Sequence, residues 1–288
     1  MQKSQNGDVF LFSKIIKKPF FVTLTALSVI AVLLRIISIS SNIEAETGFY
    51  INPYSFFRIF LIIILTLTFI FGFVWFYISK KNAILPVNLK FDFTNIFSQR
   101  KILAIVTLGF AANTFYDIFR ISNPLPSIVL PQSSSVFTTL TALSSALCLC
   151  YFIVLSFLTE NKKVATSLLN VLPVIWIIFR LLRNFISYTT VTTISKNLLD
   201  TLYLCALLIT MLCVSRLLCD NSVSKGYKGY IFFAPISIVL GFVLSIPPII
   251  CFIFGAKSVG ESDIFMHLVD LGLSIYLLYF GMNIYKEA

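Results

Sequence analysis

Two permanent cations, Arg180 and Arg183, stand three residues apart in IIFRLLRNF (177–185), inside a run otherwise made of apolar side chains. They do not stand alone on their face. Trp176, Arg180, Arg183 and Ser187 recur at i, i+4, i+7 and i+11, and Asp263, His267, Asp270 and Ser274 repeat that spacing near the C-terminus. Asn113, Asp117 and Arg120 follow i, i+4, i+7. Residues three and four apart share a helix face, so each run predicts one polar stripe on one helix. A guanidinium can hold an anion through a two-pronged fork, and carboxylates can neutralise it or carry protons. A histidine between two carboxylates can act as a proton-linked switch. The candidate binding residues are therefore Arg180, Arg183, Asp117, Asp270, His267, Arg120, Asn113 and Trp176, with Trp176 one turn below Arg180 as a stacking partner.

The same residues exclude several other chemistries. HExxH, a nucleophile-elbow serine and a glycine-rich phosphate loop are all absent from the sequence. Glu44 and Glu46 come closest to a paired-acid motif, and their ExE spacing is weak. No enzymatic activity and no cofactor are expected. Six cysteines occur without a CxxC pair and beside a single histidine, so no metal site is expected. Arg180 and Arg183 lack the third and fourth arginine that a voltage sensor would carry at the same period.

The elements that must position these residues follow from composition. The chain is 58% hydrophobic and only 12% charged, with 30 phenylalanines and a mean hydropathy of +0.94. A soluble domain carries about 25% charged residues. Apolar runs long enough to span a bilayer lie near 19–40, 56–78, 102–122, 135–158, 168–190, 198–219, 230–253 and 263–285. In lipid such runs must satisfy their own backbone hydrogen bonds, so each is a helix. The expected fold is all-α, a polytopic bundle of about eight transmembrane helices. Residues 1–18 form a cytoplasmic leader rather than a cleaved signal, and 19–288 form a single transmembrane domain.

Lysine and arginine set the orientation. Lys3, Lys14, Lys17 and Lys18 precede the first span, and Lys80, Lys81, Lys90, Arg100 and Lys101 follow the second. Lys162, Lys163, Arg216, Lys225, Lys228 and Lys286 fall on the same side of an eight-span thread. Both termini are then cytoplasmic. That side also accounts for the net charge of +10, which expresses topology and attraction to anionic lipid headgroups, not nucleic-acid binding. High Ile, Phe, Lys and Asn with little Ala suggests an AT-rich bacterial genome, and hence the cytoplasmic membrane. The segment 79–101, with Phe91, Phe93 and Phe97, suits the membrane interface.

On this thread every intramembrane charge lies in the outer half, and the inner halves read as nearly bare. Arg35, Arg120 and Asp200 are shallow enough to snorkel. Arg180 lies about 15 Å deep and needs a partner, which the sequence offers as Asp117–Arg180 or Asp270–Arg183 pairing. RIISIS (35–40), RISNP (120–124) and RNFISY (183–188) hint at a repeated helical hairpin. Ser237, Gly241 and Ser245 form a small-residue packing seam, and Pro247–Pro248 should break or kink the helix after it. The leading expectation is a transporter or binding protein for a small polar or anionic solute, or a lipid headgroup, through a polar pocket open to the outer face. The second is a non-catalytic membrane subunit or sensor that acts through a protein partner, its charges serving as structural ion pairs.

Overall fold

The computed structural model describes residues 3–42, 51–52, 55–81, 100–122, 132–157, 169–188, 194–219, 223–254 and 264–287. For 3–19, 42, 79–81, 100, 120, 132–135, 157, 187–188, 194–197, 223–224 and 283–287 only the backbone is described. The interfacial segment expected within 79–101 lies mostly outside these residues, as do Asp263 and the side chain of Arg120.

The described residues form eight helices and no strand: α1 (Lys3–Asn42), α2 (Phe56–Lys81), α3 (Arg100–Ser122), α4 (Gln132–Phe157), α5 (Leu172–Tyr188), α6 (Ile194–Leu218), α7 (Val223–Ile253) and α8 (Ile264–Glu287). A single 3-10 turn, Leu169–Val171, leads into α5. Each helix carries a window long and apolar enough to cross a membrane, from Phe20–Ser41 in α1 to Ile264–Met282 in α8. The expected spans are matched within a few residues at most ends, because a continuous apolar run in lipid has no alternative to helix. The leader is not a separate coil: α1 begins at Lys3 and continues into the first span.

Six helices form a closed ring. Each of α3 to α8 packs on the next, and α8 returns to pack on α3. Polar contacts join successive helices: Thr114 and Ser145 hydroxyls at 3.2 Å (α3–α4), Thr210 and Ser237 hydroxyls at 2.7 Å (α6–α7), and Tyr230 Oη donating to the Leu277 carbonyl at 2.5 Å (α7–α8). The closure between α8 and α3 uses glycine instead. A Cβ on Gly109 would lie 3.2 Å from the Leu268 carbonyl oxygen, and one on Gly272 would lie 3.3 Å from Val106 Cα. Missing side chains on both helices let the two backbones approach, as small residues do in membrane helix pairs.

The α1–α2 hairpin packs outside this ring, against α7. Phe20 stacks on Phe71 and meets Trp75 within the hairpin, and Phe73 and Phe76 of α2 meet Phe232 of α7 edge-on. Only 33% and 28% of the α1 and α2 spans are buried, and the hairpin's main contacts with the ring are to α7, so it is the peripheral part. Its exposed Val29, Leu33, Ile63, Phe69 and Phe73 give an apolar face suited to lipid chains.

Two expectations are corrected here. Pro247 and Pro248 do not end α7: the helix runs on to Ile253, and Phe254 N–H still donates to the Ile250 carbonyl at 3.0 Å. The prolines fall in the last turns, where the loss of two amide donors leaves the rest of the ladder intact. Arg35 does not snorkel from a lipid-facing position: it is 5% exposed, packed within the protein.

Candidate functional site

α5 and α8 stand opposite each other in the ring, so a contact between them must cross its interior. The Arg180–Asp270 pair makes that contact. The Arg180 guanidinium donates through Nη1 to Asp270 Oδ1 and through Nη2 to Oδ2, the latter at 2.7 Å. The two side chains are 7% and 1% exposed. Arg180 lies about 12 Å from either end of α5, at 1.5 Å per residue. Where the sequence led to the expectation of a polar pocket open to the outer face, the described residues place a two-pronged ion pair that is almost wholly buried. Neither pairing offered by the sequence is the one adopted. Arg180 meets Asp270, not Asp117, because ring closure sets α8 across from α5.

The surroundings of the pair come from four helices. The Trp176 ring centroid lies 5.4 Å from Arg180 Cζ, as the i, i+4 spacing predicted. From α6, Tyr203 approaches Asp270 and Ser274, and Asp200 adds negative charge farther out. Ser274 donates to the Asp270 carbonyl at 2.7 Å. On α7, Gly241 faces this cluster. A Cβ there would overlap Ser274 Oγ and lie 3.1 Å from the Tyr203 ring, so the small-residue seam is what admits Tyr203 beside the pair. Trp176 and Tyr203 are 0% exposed; Tyr203 Oη lies within reach of the Asp270 carboxylate and Ser274, whereas among the described residues Trp176 Nε1 has no hydrogen-bond acceptor. One unsatisfied donor, Trp176 Nε1, thus lies on the ring beside the arginine.

The other candidates divide. His267 is buried one turn from Asp270 on the same face of α8, and Arg183 is half-buried one turn beyond Arg180 on α5. Asn113 and Asp117 belong to a distinct α3–α4 network. Asn113 Nδ2 donates to Asp117 Oδ2 at 3.0 Å and to Ser145 Oγ at 3.3 Å.

Below the pair, toward the lysine-rich end, aromatic rings fill the ring interior. Phe110 meets Trp176 edge-on at 5.0 Å and stacks on Phe152 at 5.4 Å, and Phe152 meets Tyr276 at 5.8 Å. Beyond this layer lies a polar cluster that sequence reasoning missed. Tyr151 Oη donates to Asn170 Oδ1 at 3.0 Å, and Asn170 Nδ2 reaches Cys219 Sγ at 3.5 Å. The cluster borders a cavity of about 10 Å³, room for one water, whose walls include Ser215 and Tyr276. The inner half is therefore not bare. Tyr151 and Asn170 carry no charge, and a tyrosine in an apolar run reads as an amphipathic aromatic. The available signal was Asn170, an amide at the start of a span.

Eight apolar helices, six of them ringed around a buried charge pair, define a multi-pass integral membrane protein. No protein-family model, no curated protein and no solved structure matches the chain.

Proposed function

We propose that this protein is a membrane carrier for a small anionic solute, with Arg180 as the anion-binding group, acting in a cytoplasmic membrane. The observation that carries the reading is the company kept by the Arg180–Asp270 pair. A pair serving only as glue gains nothing from unsatisfied donors beside it, and each such buried group costs about 1–3 kcal/mol. Trp176 Nε1 bears that cost next to a guanidinium that already offers two N–H groups, and Tyr203 Oη crowds the same carboxylate. A carboxylate seated on an arginine fork beside a further donor suits replacement by the oxyanion of a solute.

In the closed state Asp270 occupies the arginine fork and stands in for the solute. The aromatic layer of Phe110, Phe152 and Trp176 closes the path toward the lysine-rich side. Arg183, half-buried one turn outward, is the entry-side cation. No catalytic step is needed, and the protein is read as a non-enzyme. Uptake of radiolabelled anions by proteoliposomes holding the purified chain tests the reading. Uptake by the wild type, lost in an Arg180→Ala variant that still inserts, supports it. Undiminished uptake by that variant refutes it.

A partner-dependent membrane subunit is favoured by one observation only, the broad apolar flank of the peripheral α1–α2 hairpin. A stoichiometric partner on purification, with no uptake by the chain alone, would establish that alternative.

A further inference from the structure

We infer that the anion taken by Arg180 is a monocarboxylate and that it binds together with one proton, carried by Asp270. The inference rests on the carrier reading above and adds the substrate class and the coupling.

The seat on Arg180 is shaped by what fills it. Asp270 Oδ1 and Oδ2 each take one N–H of the guanidinium, so the fork holds a planar, two-oxygen group. Trp176 lies against the guanidinium at 5.4 Å and limits the seat on that side. The other donors beside the seat, Trp176 Nε1 and Tyr203 Oη, are neutral. One arginine with neutral donors matches a single negative charge. A doubly charged phosphate would bring a second negative charge to a fork whose own cation is Arg180, with Arg183 a full turn outward.

Charge balance supplies the proton. The buried pair itself holds one cation and one carboxylate, both almost wholly buried, and sums to zero. A carboxylate that displaces Asp270 from the fork leaves the Asp270 carboxylate buried without its counter-ion, and the sum becomes minus one. A lone buried charge is strongly disfavoured. A proton taken up by Asp270 restores zero: the solute is then paired with Arg180, and Asp270 is a neutral acid. One proton accompanies each anion, and the bound state carries no net charge.

Asp270 is the group that loses its counter-ion, and the other charged and titratable groups around it are few. Arg180 from α5 stays charged at every accessible pH. From α6 come Tyr203 and, farther out, Asp200. On α3 Asp117 is engaged by Asn113. On α8 itself His267 lies one turn away, buried. Between Ile231 and Ile250 α7 has no ionisable side chain.

The test uses the full chain in detergent, with Trp75 replaced by Phe so that Trp176 is the single tryptophan and its fluorescence reports on the seat. Acetate, butyrate, benzoate and inorganic phosphate are titrated from pH 5 to pH 8, and proton uptake is followed with an indicator dye in weak buffer. The expected result is carboxylate binding that weakens about tenfold per pH unit, as one linked proton requires, with one proton absorbed per anion. Asp270→Asn should bind the carboxylate with no pH slope and absorb no proton. Carboxylate binding without proton uptake overturns the coupling and leaves the carrier reading standing. A slope that survives in Asp270→Asn overturns the assignment to Asp270. Phosphate binding tighter than carboxylate overturns the substrate class. No binding of any anion at any pH sinks the carrier reading itself. Should Asp270→Asn fail to fold, His267→Gln decides: proton uptake kept in that variant supports the assignment to Asp270, and uptake lost in it overturns the assignment.

Discussion

Removing either half of the Arg180–Asp270 pair should be far more costly than removing both. Each side chain is less than a tenth exposed, and the pair is joined by two charge-assisted hydrogen bonds. Breaking a buried pair by deleting one partner typically costs about 3–5 kcal/mol, because the survivor stays in a low-dielectric site without its counter-ion. Replacing both partners by apolar groups of similar volume is often neutral or stabilising. Arg180→Met and Asp270→Asn should therefore each destabilise the bundle by about 3–5 kcal/mol, a factor of roughly a hundred to several thousand in the folding equilibrium. The double variant Arg180→Met/Asp270→Leu should be more stable than either single one.

The two single variants should also differ. A guanidinium cannot lose its charge, whereas a buried carboxyl can shed its own by taking a proton. Asp270→Asn is thus the worse substitution at neutral pH, and the cost of Arg180→Met should shrink as the pH falls. Reversible unfolding in mixed micelles at rising dodecyl sulfate fraction measures all four proteins. Single-variant losses below about 1 kcal/mol, the range of exposed pairs, would show that water reaches the pair and would refute the closed core.

Three further outcomes are expected. Gly72→Ala would bring a Cβ to 2.8 Å from the Phe232 carbonyl oxygen, so the α1–α2 hairpin must shift off α7, at about 1–3 kcal/mol seen as a lower thermal midpoint. Tyr151→Phe removes the 3.0 Å bond to Asn170 and leaves its buried carbonyl oxygen unpaired, which should cost about 1–3 kcal/mol and hasten alkylation of Cys219, followed by peptide mass. Eight spans put both termini on one side, so reporters fused at residue 1 and at residue 288 should signal from the same compartment, the cytoplasm by the lysine count.

The spans were legible because the bilayer imposes a length, and a run such as 56–78 matches Phe56–Ile78 to the residue. The stripe on α5 was legible because helical spacing is local: Trp176 and Arg180 had to meet. Pairing across the ring was not. Whether Arg180 finds Asp117 or Asp270 depends on which helices stand opposite, and that depends on contacts such as Gly109 and Gly272 between α3 and α8. Glycines announce close approach without naming the partner. The Tyr151–Asn170–Cys219 cluster escaped for a related reason, since three uncharged groups on α4, the 3-10 turn and the end of α6 share no sequence period.

A closed core held by a strong ion pair looks at first like an argument against transport, but the energetics run the other way. To move a two-state equilibrium from 1:99 to 99:1, a ligand must prefer one state by about 5.5 kcal/mol. Opening a ring whose halves are tied by Arg180 and Asp270 would forfeit about 3–5 kcal/mol if nothing replaced the pair. A carboxylate with its proton replaces it group for group: the fork keeps two oxygens, and Asp270 keeps a neutral environment. The cost of opening then falls to the difference between two similar contacts. An empty carrier stays shut, and a loaded one is free to move. The same arrangement prevents an ion leak, because an anion arriving without its proton meets the uncompensated charge that holds the ring closed. On the proposed reading, the strength of the Arg180–Asp270 pair is what makes the coupling tight. A variant that weakens the pair without abolishing it, such as Asp270→Glu, should therefore carry anions with fewer protons per turnover. Strict one-to-one coupling in such a weakened variant would contradict this link between pair strength and coupling.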